Sequence, residues 1–456
     1  MKEGNNKRHD FRFWFFLSIS VLILMTGCGK DSQPEQDVSI HYHADDGDFE
    51  KDIWVTPDPI TEEGEKEKKK EKQIITLATS GSVGSDSIYQ RVVNTFNSVN
   101  TEYYVEITNY EHGDQLADGR IRINAEIGAG GGPDLLMLDL FPVDQEMLDK
   151  GVLVDLTPYL EESGITAENY FPAYARLVYG DRIYAVSPEQ SVACYAVKQE
   201  VLGTEEVPEF EVFLDRLLAY QKKAAFNNNV QPDYYIMKWF IDGSEDLWGV
   251  VDWENRTCDF TLPVFSKILD VVNRYGKDGR NGYEPIMSHY SPNPTSWGIQ
   301  LEALEESGDV LIGYYFDDGC HPLCNNLNTL AINGNTKNLD GAYAFVSFVM
   351  SAKGQNCFGE SVQRKYWEKD VEFEVKLINE GKSYVWDGTE MRPAFINEDI
   401  IQEVADLYDD ARIRPGKAEK IQDIVLDESE AYFSGDKTKE YVIELIQNKV
   451  QLYLNE

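Results

Sequence analysis

The tightest grouping of metal-ligand residue types in the chain is Cys320-His321-Pro322-Leu323-Cys324. A zinc site needs four ligands and no second cluster stands nearby, so the expectation is a loop disulfide or free thiols, and no metal. Together with Cys194, Cys258 and Cys357 these make five cysteines after Cys28, an odd number that cannot all pair within one chain. Cys194 and Cys258 lie in apolar, strand-like stretches and read as buried thiols. Gly128-Ala129-Gly130-Gly131-Gly132 has the glycine density of a phosphate loop. It lacks the Gly-Lys-Ser/Thr ending, however, and it lies between a helix and a strand, the reverse of the required order. It reads instead as a helix stop with a left-handed residue. A calcium loop over Asp114–Ala125 fails, with Leu116 at its third position and Ala125 at its twelfth. Glycoside hydrolysis would need two carboxylates flanking a bond, and among 80 acidic residues composition singles out no pair. There is no Gly-x-Ser-x-Gly elbow and only six histidines. The chain is read as non-enzymatic and without a cofactor.

What remains is a set of carboxylates and aromatics placed where strands end. Carboxylates and amides suit hydroxyl groups, and aromatic faces suit patches of C–H. Ile74–Thr79 is a short apolar run expected to form a buried strand. Ser80–Ser85 reads as a turn, and Ser87 with Gln90 fits a capping box that opens a helix carrying Ile88, Val92, Phe96 and Val99. Tyr103–Asn109 alternates as a second strand, a helix around Ile121, Ala125 and Ile127 follows, and Asp134–Leu138 is a third strand. Strand, helix, strand, helix, strand predicts an α/β fold with parallel pairing. In such sheets ligands lie beyond the carboxyl ends of strands. That places Tyr110 and Glu111 after the second strand, Asp139 and Phe141 after the third, and Tyr315, Phe316 and Asp317 after the run Val310–Ile312. Trp297, in a Pro- and Ser-rich stretch at 291–298 read as a loop, suits a cleft edge. Each has an alternative role: an aromatic can be core, and Asp139 or Glu189 can cap a helix or bridge two lobes. Trp253, beside a hairpin turn, reads as structural.

The chain has 456 residues, 42% of them apolar, enough for two domains of ordinary size. Its net charge of -38 argues against nucleic acid as a partner. At the N-terminus, Lys7, Arg8 and Arg12 precede an apolar run from Phe13 to Met25, too short for an ordinary spanning helix. The run ends in Met25-Thr26-Gly27-Cys28, which resembles a bacterial lipobox. The expectation is a signal peptide over 1–27 and a lipid on Cys28, with two or more acyl chains holding the protein on the outer face of the cytoplasmic membrane. Residues 28–73 are polar, carry three prolines and end in a Glu/Lys run, so they are expected to be a disordered charged tether.

Gly131–Leu138 with Leu148–Leu156, Arg182–Pro188 running into Ala193–Val197, and Leu330–Ile332 followed by a helix over Asn338–Gln355 resemble, in that order, family 1 extracellular solute-binding proteins. That family includes maltose- and other oligosaccharide-binding proteins. In the helix, Ala342, Phe345, Val346, Val349 and Met350 repeat at helical spacing, as the family's do. The resemblance covers about residues 74–456. It implies two lobes, each a mainly parallel sheet flanked by helices, with the ligand cleft between them. Lobe 1 would span 74–187, lobe 2 188–328, a return to lobe 1 329–362, and lobe 2 with C-terminal helices 363–456. It also implies that Glu189 bonds ligand, that a stacking aromatic lies near Tyr315, that the ligand is a sugar or oligosaccharide, and that the partners are permease subunits of an ABC importer. A sensor or scaffold without transport, or a secreted carbohydrate-active enzyme, are the alternatives. The chain departs from the family's pattern at 317–329 and at Glu360-Ser361-Val362-Gln363.

Overall fold

Ile75, Leu77 and Thr79 turn to one face of strand β1 (Gln73–Thr79) and Ala78 to the other, because side chains alternate along an extended chain. Both faces are buried, which is why the run is apolar almost throughout. The computed structural model describes residues 39–40, 43–45, 48–50 and 53–54, and 72–455 except 80–82, 111–115, 139–142, 144, 204–206, 223, 228–232, 277–283, 325–327, 359–360, 381–383, 387–388, 392–396 and 415. The chain divides into two compact units, 1–37, which lies outside the described residues, and 38–456.

The first sheet joins β1 to β2 (Tyr103–Asn109), β3 (Leu135–Met137), β4 (Ala175–Tyr179) and β5 (Arg182–Val186). The second contains β6 (Val192–Lys198), β7 (Ala224–Asn227), β8 (Glu284–Tyr290) and β9 (Asp309–Ile312). A hairpin of β10 (Tyr314–Phe316) and β11 (Gly319–His321) follows, then β12 (Leu323–Cys324), which pairs with β6. Finally β13 (Leu330–Ile332) returns to the first sheet, whose order is β2-β1-β3-β13-β5-β4. The second sheet runs β7-β8-β6-β9. Pairing is mixed rather than mainly parallel. β1 is parallel to β2 and β3, and β7 to β8, but β13 lies antiparallel between β3 and β5, and β6 is antiparallel to β8, β9 and β12. The cause is the connectivity. A strand that enters a sheet directly from the other lobe runs away from the crossing, while its neighbours run toward it.

Helix α1 (Val83–Val99) begins four residues before the expected capping box, so Ser87 already lies within it. Nothing in Gly84-Ser85-Asp86 forbids helix, and one glycine costs only about 1 kcal/mol. Helix α2 is Leu116–Gly128. It stops as expected: Gly130 and Gly132 take φ of 80° and 93°, and the amide of Gly131 donates to Glu126 O at 3.0 Å. Beyond it, the Asp134 carboxylate accepts from both the amide and the hydroxyl of Thr76, each at 2.8 Å, and from the Thr336 hydroxyl at 2.6 Å.

The second sheet is covered by α3 (Phe210–Ala219), α4 (Asp233–Ile241) and α5 (Pro263–Tyr275). Helix α6 (Pro294–Ser307) contains Trp297, which has no exposed surface, so the expectation of a loop at 291–298 is corrected. Proline at the first helical position is tolerated because its missing N–H would have had no partner there. Helix α7 (Leu339–Met350) buries Ala342, Phe345, Val346, Val349 and Met350 against β1 and α1. Gly341 allows that approach: a Cβ there would lie 2.4 Å from Ile75 Cδ1. Helices α8 (Arg364–Asn379) and α9 (Glu398–Asp410), expected with lobe 2, instead place Trp367, Val371, Val404 and Tyr408 in the cluster on the first sheet. Helices α10 (Glu419–Phe433) and α11 (Lys439–Asn455) pack on the second.

Within the expected tether, Ser39–Ile40 pairs with Ile53–Trp54, and His43–Asp45 with Asp48–Glu50. Cys28, the expected lipid-attachment residue, lies outside the described residues. Cys320 and Cys324 are free thiols, on strands paired to different partners. No group of three or more metal-ligand side chains occurs among the described residues.

Candidate interlobe site

Three segments cross between the sheets. Residues 187–191 link β5 to β6, and 325–329 link β12 to β13. Residues 411–418 link α9, packed with the first sheet, to α10, packed on the second. The register places the carboxyl ends of β1, β2, β3 and β5 on one edge of the first sheet, with the start of β13. The carboxyl ends of β7, β8 and β9 lie on the edge of the second sheet from which β6 starts. The crossings therefore join the two edges at which α/β sheets bind ligands.

Glu111, Asp139 and Phe141 lie outside the described residues. Tyr110 is buried, its hydroxyl donating to Glu126 Oε2 at 2.6 Å and the Arg122 guanidinium lying 4.6 Å above its ring. Burial first, then the Glu126 hydrogen bond, holds that phenol well above its ordinary range. Glu189 is buried at the first crossing, where its Oε1 accepts from Asn328 Nδ2.

The remaining expected residues do not converge with it. The Tyr315 ring packs at 5.1 Å from Phe210 and 5.3 Å from Phe213, and its hydroxyl donates to Pro208 O at 3.0 Å. Phe316 is buried in the same core. Asp317 is exposed, but its carboxylate accepts from the Ser244 hydroxyl at 2.8 Å and the Glu245 amide at 3.2 Å, fastening the turn that follows α4. Trp297 is wholly buried, Phe316 is buried, and Tyr315 is half-buried against the second sheet's core. The reason is shared. An apolar strand end and a helix face attract the same residue types that a sugar platform needs.

Other residues at these edges went unnoticed in the sequence. Asn328 is 7% exposed with φ of 53°, a conformation in which asparagine is the least strained residue with a side chain, and its signal in the sequence was the asparagine-rich stretch Asn325-Asn326-Leu327-Asn328. Trp239, half-buried on α4, stacks at 6.4 Å on His289, which is exposed one residue from the end of β8. Tyr195 packs between Trp239 and Tyr314, with centroids at 4.9 and 4.3 Å. Thr79 Oγ1, Thr329 Oγ1 and Gln190 Oε1 are buried with no protein partner, all at the first sheet's edge or the adjoining crossing. At the third crossing, Arg414 Nη2 donates to Asp242 Oδ2 at 2.6 Å; Asp242 is 2% exposed and its carboxyl is raised to about 6, chiefly by burial against the opposing pull of Arg414.

In sequence, a family model described as bacterial extracellular solute-binding protein matches residues 80–356. No curated protein matches the chain. The fold is shared with the sugar-binding protein MalE from Xanthomonas citri, at 13% identity and a TM-score of 0.53 over 84% of this chain and 98% of that one. It is shared too with an ABC transporter solute-binding protein from Thermotoga lettingae bound with alpha-D-tagatose, at 14% identity and a TM-score of 0.51 over 84% and 100%. A third is the maltose/maltodextrin-binding domain MalE from Bdellovibrio bacteriovorus bound to maltotriose, at 14% identity and a TM-score of 0.50 over 84% and 100%. These are two-lobed binding proteins, and the family match takes in the second sheet, the first sheet apart from β1, and the first two crossings. The chain belongs to the bacterial extracellular solute-binding proteins.

Proposed function

We propose that this protein captures a sugar or oligosaccharide between its lobes outside the cytoplasm and hands it to the permease subunits of an ABC importer, without chemical change to the ligand. The observation that carries the reading is the joining of two ligand-competent sheet edges by three crossing segments in a chain of this family. Tagatose and maltotriose in the similar structures support the ligand class. The polar atoms of Thr79, Thr329 and Gln190 are available for hydroxyl groups, and Trp239 with His289 offers a ring face on the second lobe. Asp139, Glu111 and Phe141, at the carboxyl ends of β3 and β2, remain assigned to the ligand by position. Lipid on Cys28 would hold the protein at the membrane, with the lobes near the expected boundaries at 187/188 and 328/329.

The test is a thermal-shift screen of the mature protein with maltotriose, tagatose, amino acids and polyamines. A ligand at 100 times its Kd stabilises by about 2.7 kcal/mol, so a binder stands out. A rise with a sugar and an unaltered sugar afterwards support the proposal. A rise with amino acids or polyamines alone overturns the ligand class, and consumption of the sugar overturns its non-enzymatic nature.

A further inference from the structure

The first crossing where it leaves β5, and Asn328-Thr329 where the second enters β13, lie side by side, because β5 and β13 are paired neighbours. In the first, the Ser187 hydroxyl donates to Glu189 O at 2.8 Å, which fixes the turn leaving β5. Glu189, 7% exposed, then reaches the second crossing, where Asn328 Nδ2 donates to its Oε1 at 2.5 Å. Asn328 has the left-handed backbone noted above, and its carbonyl accepts from the Tyr89 hydroxyl of α1 at 2.7 Å. Glu189 also bridges Ser361, whose carbonyl accepts from Gln190 Nε2 at 2.8 Å. A side chain of one crossing is thus tied to the pivot residue of the other, and the pair is moored to a helix of the first lobe.

We infer that the Glu189–Asn328 hydrogen bond makes the two crossings turn as one, so that Glu189 is a positioning residue that sets the balance between open and closed lobes. The inference rests on the two-lobed capture proposed above. Lobe rotation must be absorbed by a few backbone dihedrals in the crossings. Any change of φ or ψ at Asn328 moves its amide relative to Glu189, so the bond favours the arrangements that keep it. A hydrogen bond to a carboxylate, shielded from water, is among the stronger ones. Its loss changes the ratio of lobe arrangements by about tenfold to a hundredfold. Ligand affinity then changes in proportion to the fraction of molecules in the competent arrangement.

The experiment measures lobe separation without ligand, so its outcome does not depend on whether any sugar binds. Spin or fluorescent labels go on exposed Asn124 of α2 and exposed Asp436, between α10 and α11, in the full mature chain. Glu189→Ala and Asn328→Gly remove the bond from either side, and glycine keeps the left-handed backbone unstrained. Both variants are expected to shift the distance distribution in the same direction, by about tenfold in population ratio, and the double variant to shift it no further. Glu189→Gln keeps a neutral acceptor oxygen and is expected to shift the distribution clearly less than Glu189→Ala. The inference is overturned if either removal leaves the distribution unchanged, if the two effects add, or if the variants lower Tm with lobe separation unaltered.

Discussion

Asp134 is the carboxylate on which the first sheet closes. It receives the Thr76 amide and hydroxyl from β1 and the Thr336 hydroxyl from the segment after β13, and is 8% exposed. Removing it leaves those donors without their acceptor in a buried setting, which costs more than the bonds themselves contribute. Asp134→Ala should destabilise the protein by on the order of 3 kcal/mol. Asp134→Asn, which keeps one acceptor, should lose clearly less. Urea midpoints of the two variants check this, and equal losses would mean that the hydrogen bonds are not what Asp134 supplies. At this scale residue type was legible and residue role was not. The same pattern of a carboxylate or aromatic near the carboxyl end of a strand describes Asp317 and Tyr315, which have protein partners, and a group waiting for ligand. Only a partner list tells them apart: Tyr315 has Phe210, Phe213 and Pro208, and Asp317 has Ser244 and Glu245.

Between elements, the third crossing is joined to α4 by a buried ion pair. Asp242 stands just past the C-terminal end of α4, where a carboxylate is disfavoured by the helix dipole, and Arg414 neutralises it. Burial raises the Asp242 carboxyl from 3.8 to about 6. Between those values the folded protein keeps a proton that the unfolded chain has released. This contribution to stability is therefore complete below about pH 3.8 and is lost as pH rises through about 6. Arg414→Met would leave the carboxylate without its cation and move its titration higher. The variant should lose about 3–5 kcal/mol at pH 7.5 and less at pH 5, where Asp242 is protonated and needs no partner. Urea unfolding at the two pH values tests the sign, and a larger loss at pH 5 would refute it. Element boundaries followed local chemistry where that chemistry was unambiguous. Gly130 and Gly132 ended α2 as expected, and the spacing of Phe345, Val346 and Val349 placed α7. Pro294, taken for a loop signal, opened α6 because proline suits both a loop and a first helical turn.

For the whole molecule, the proposed attachment to the membrane rests on the sulfur of Cys28. Cys28→Ala should yield protein that is unprocessed or released, as read by mass spectrometry of the N-terminus; a wild-type chain with unmodified Cys28 would overturn the anchor. Some properties were set along the chain itself. The basic start, apolar run and Gly27-Cys28 ending are contiguous, so the resemblance to a lipobox is carried by local sequence alone. The apolar periodicities of Ile75, Leu77, Val92, Phe96 and Phe345 likewise required an α/β sheet with helices on it, since period 2 and period 3.6 each demand a buried face. The ordered set of motifs carried the family resemblance, and that resemblance implied two lobes. Other properties depended on what lies beside what. Mixed pairing came from strands entering each sheet through a crossing, and α8 and α9 joined the first sheet's core although they follow the return to it by many residues. The joining of Glu189 to Asn328 unites residues 139 positions apart. No local periodicity carries that information, because a hydrogen bond between two crossings exists only once both sheets have formed and set the crossings side by side.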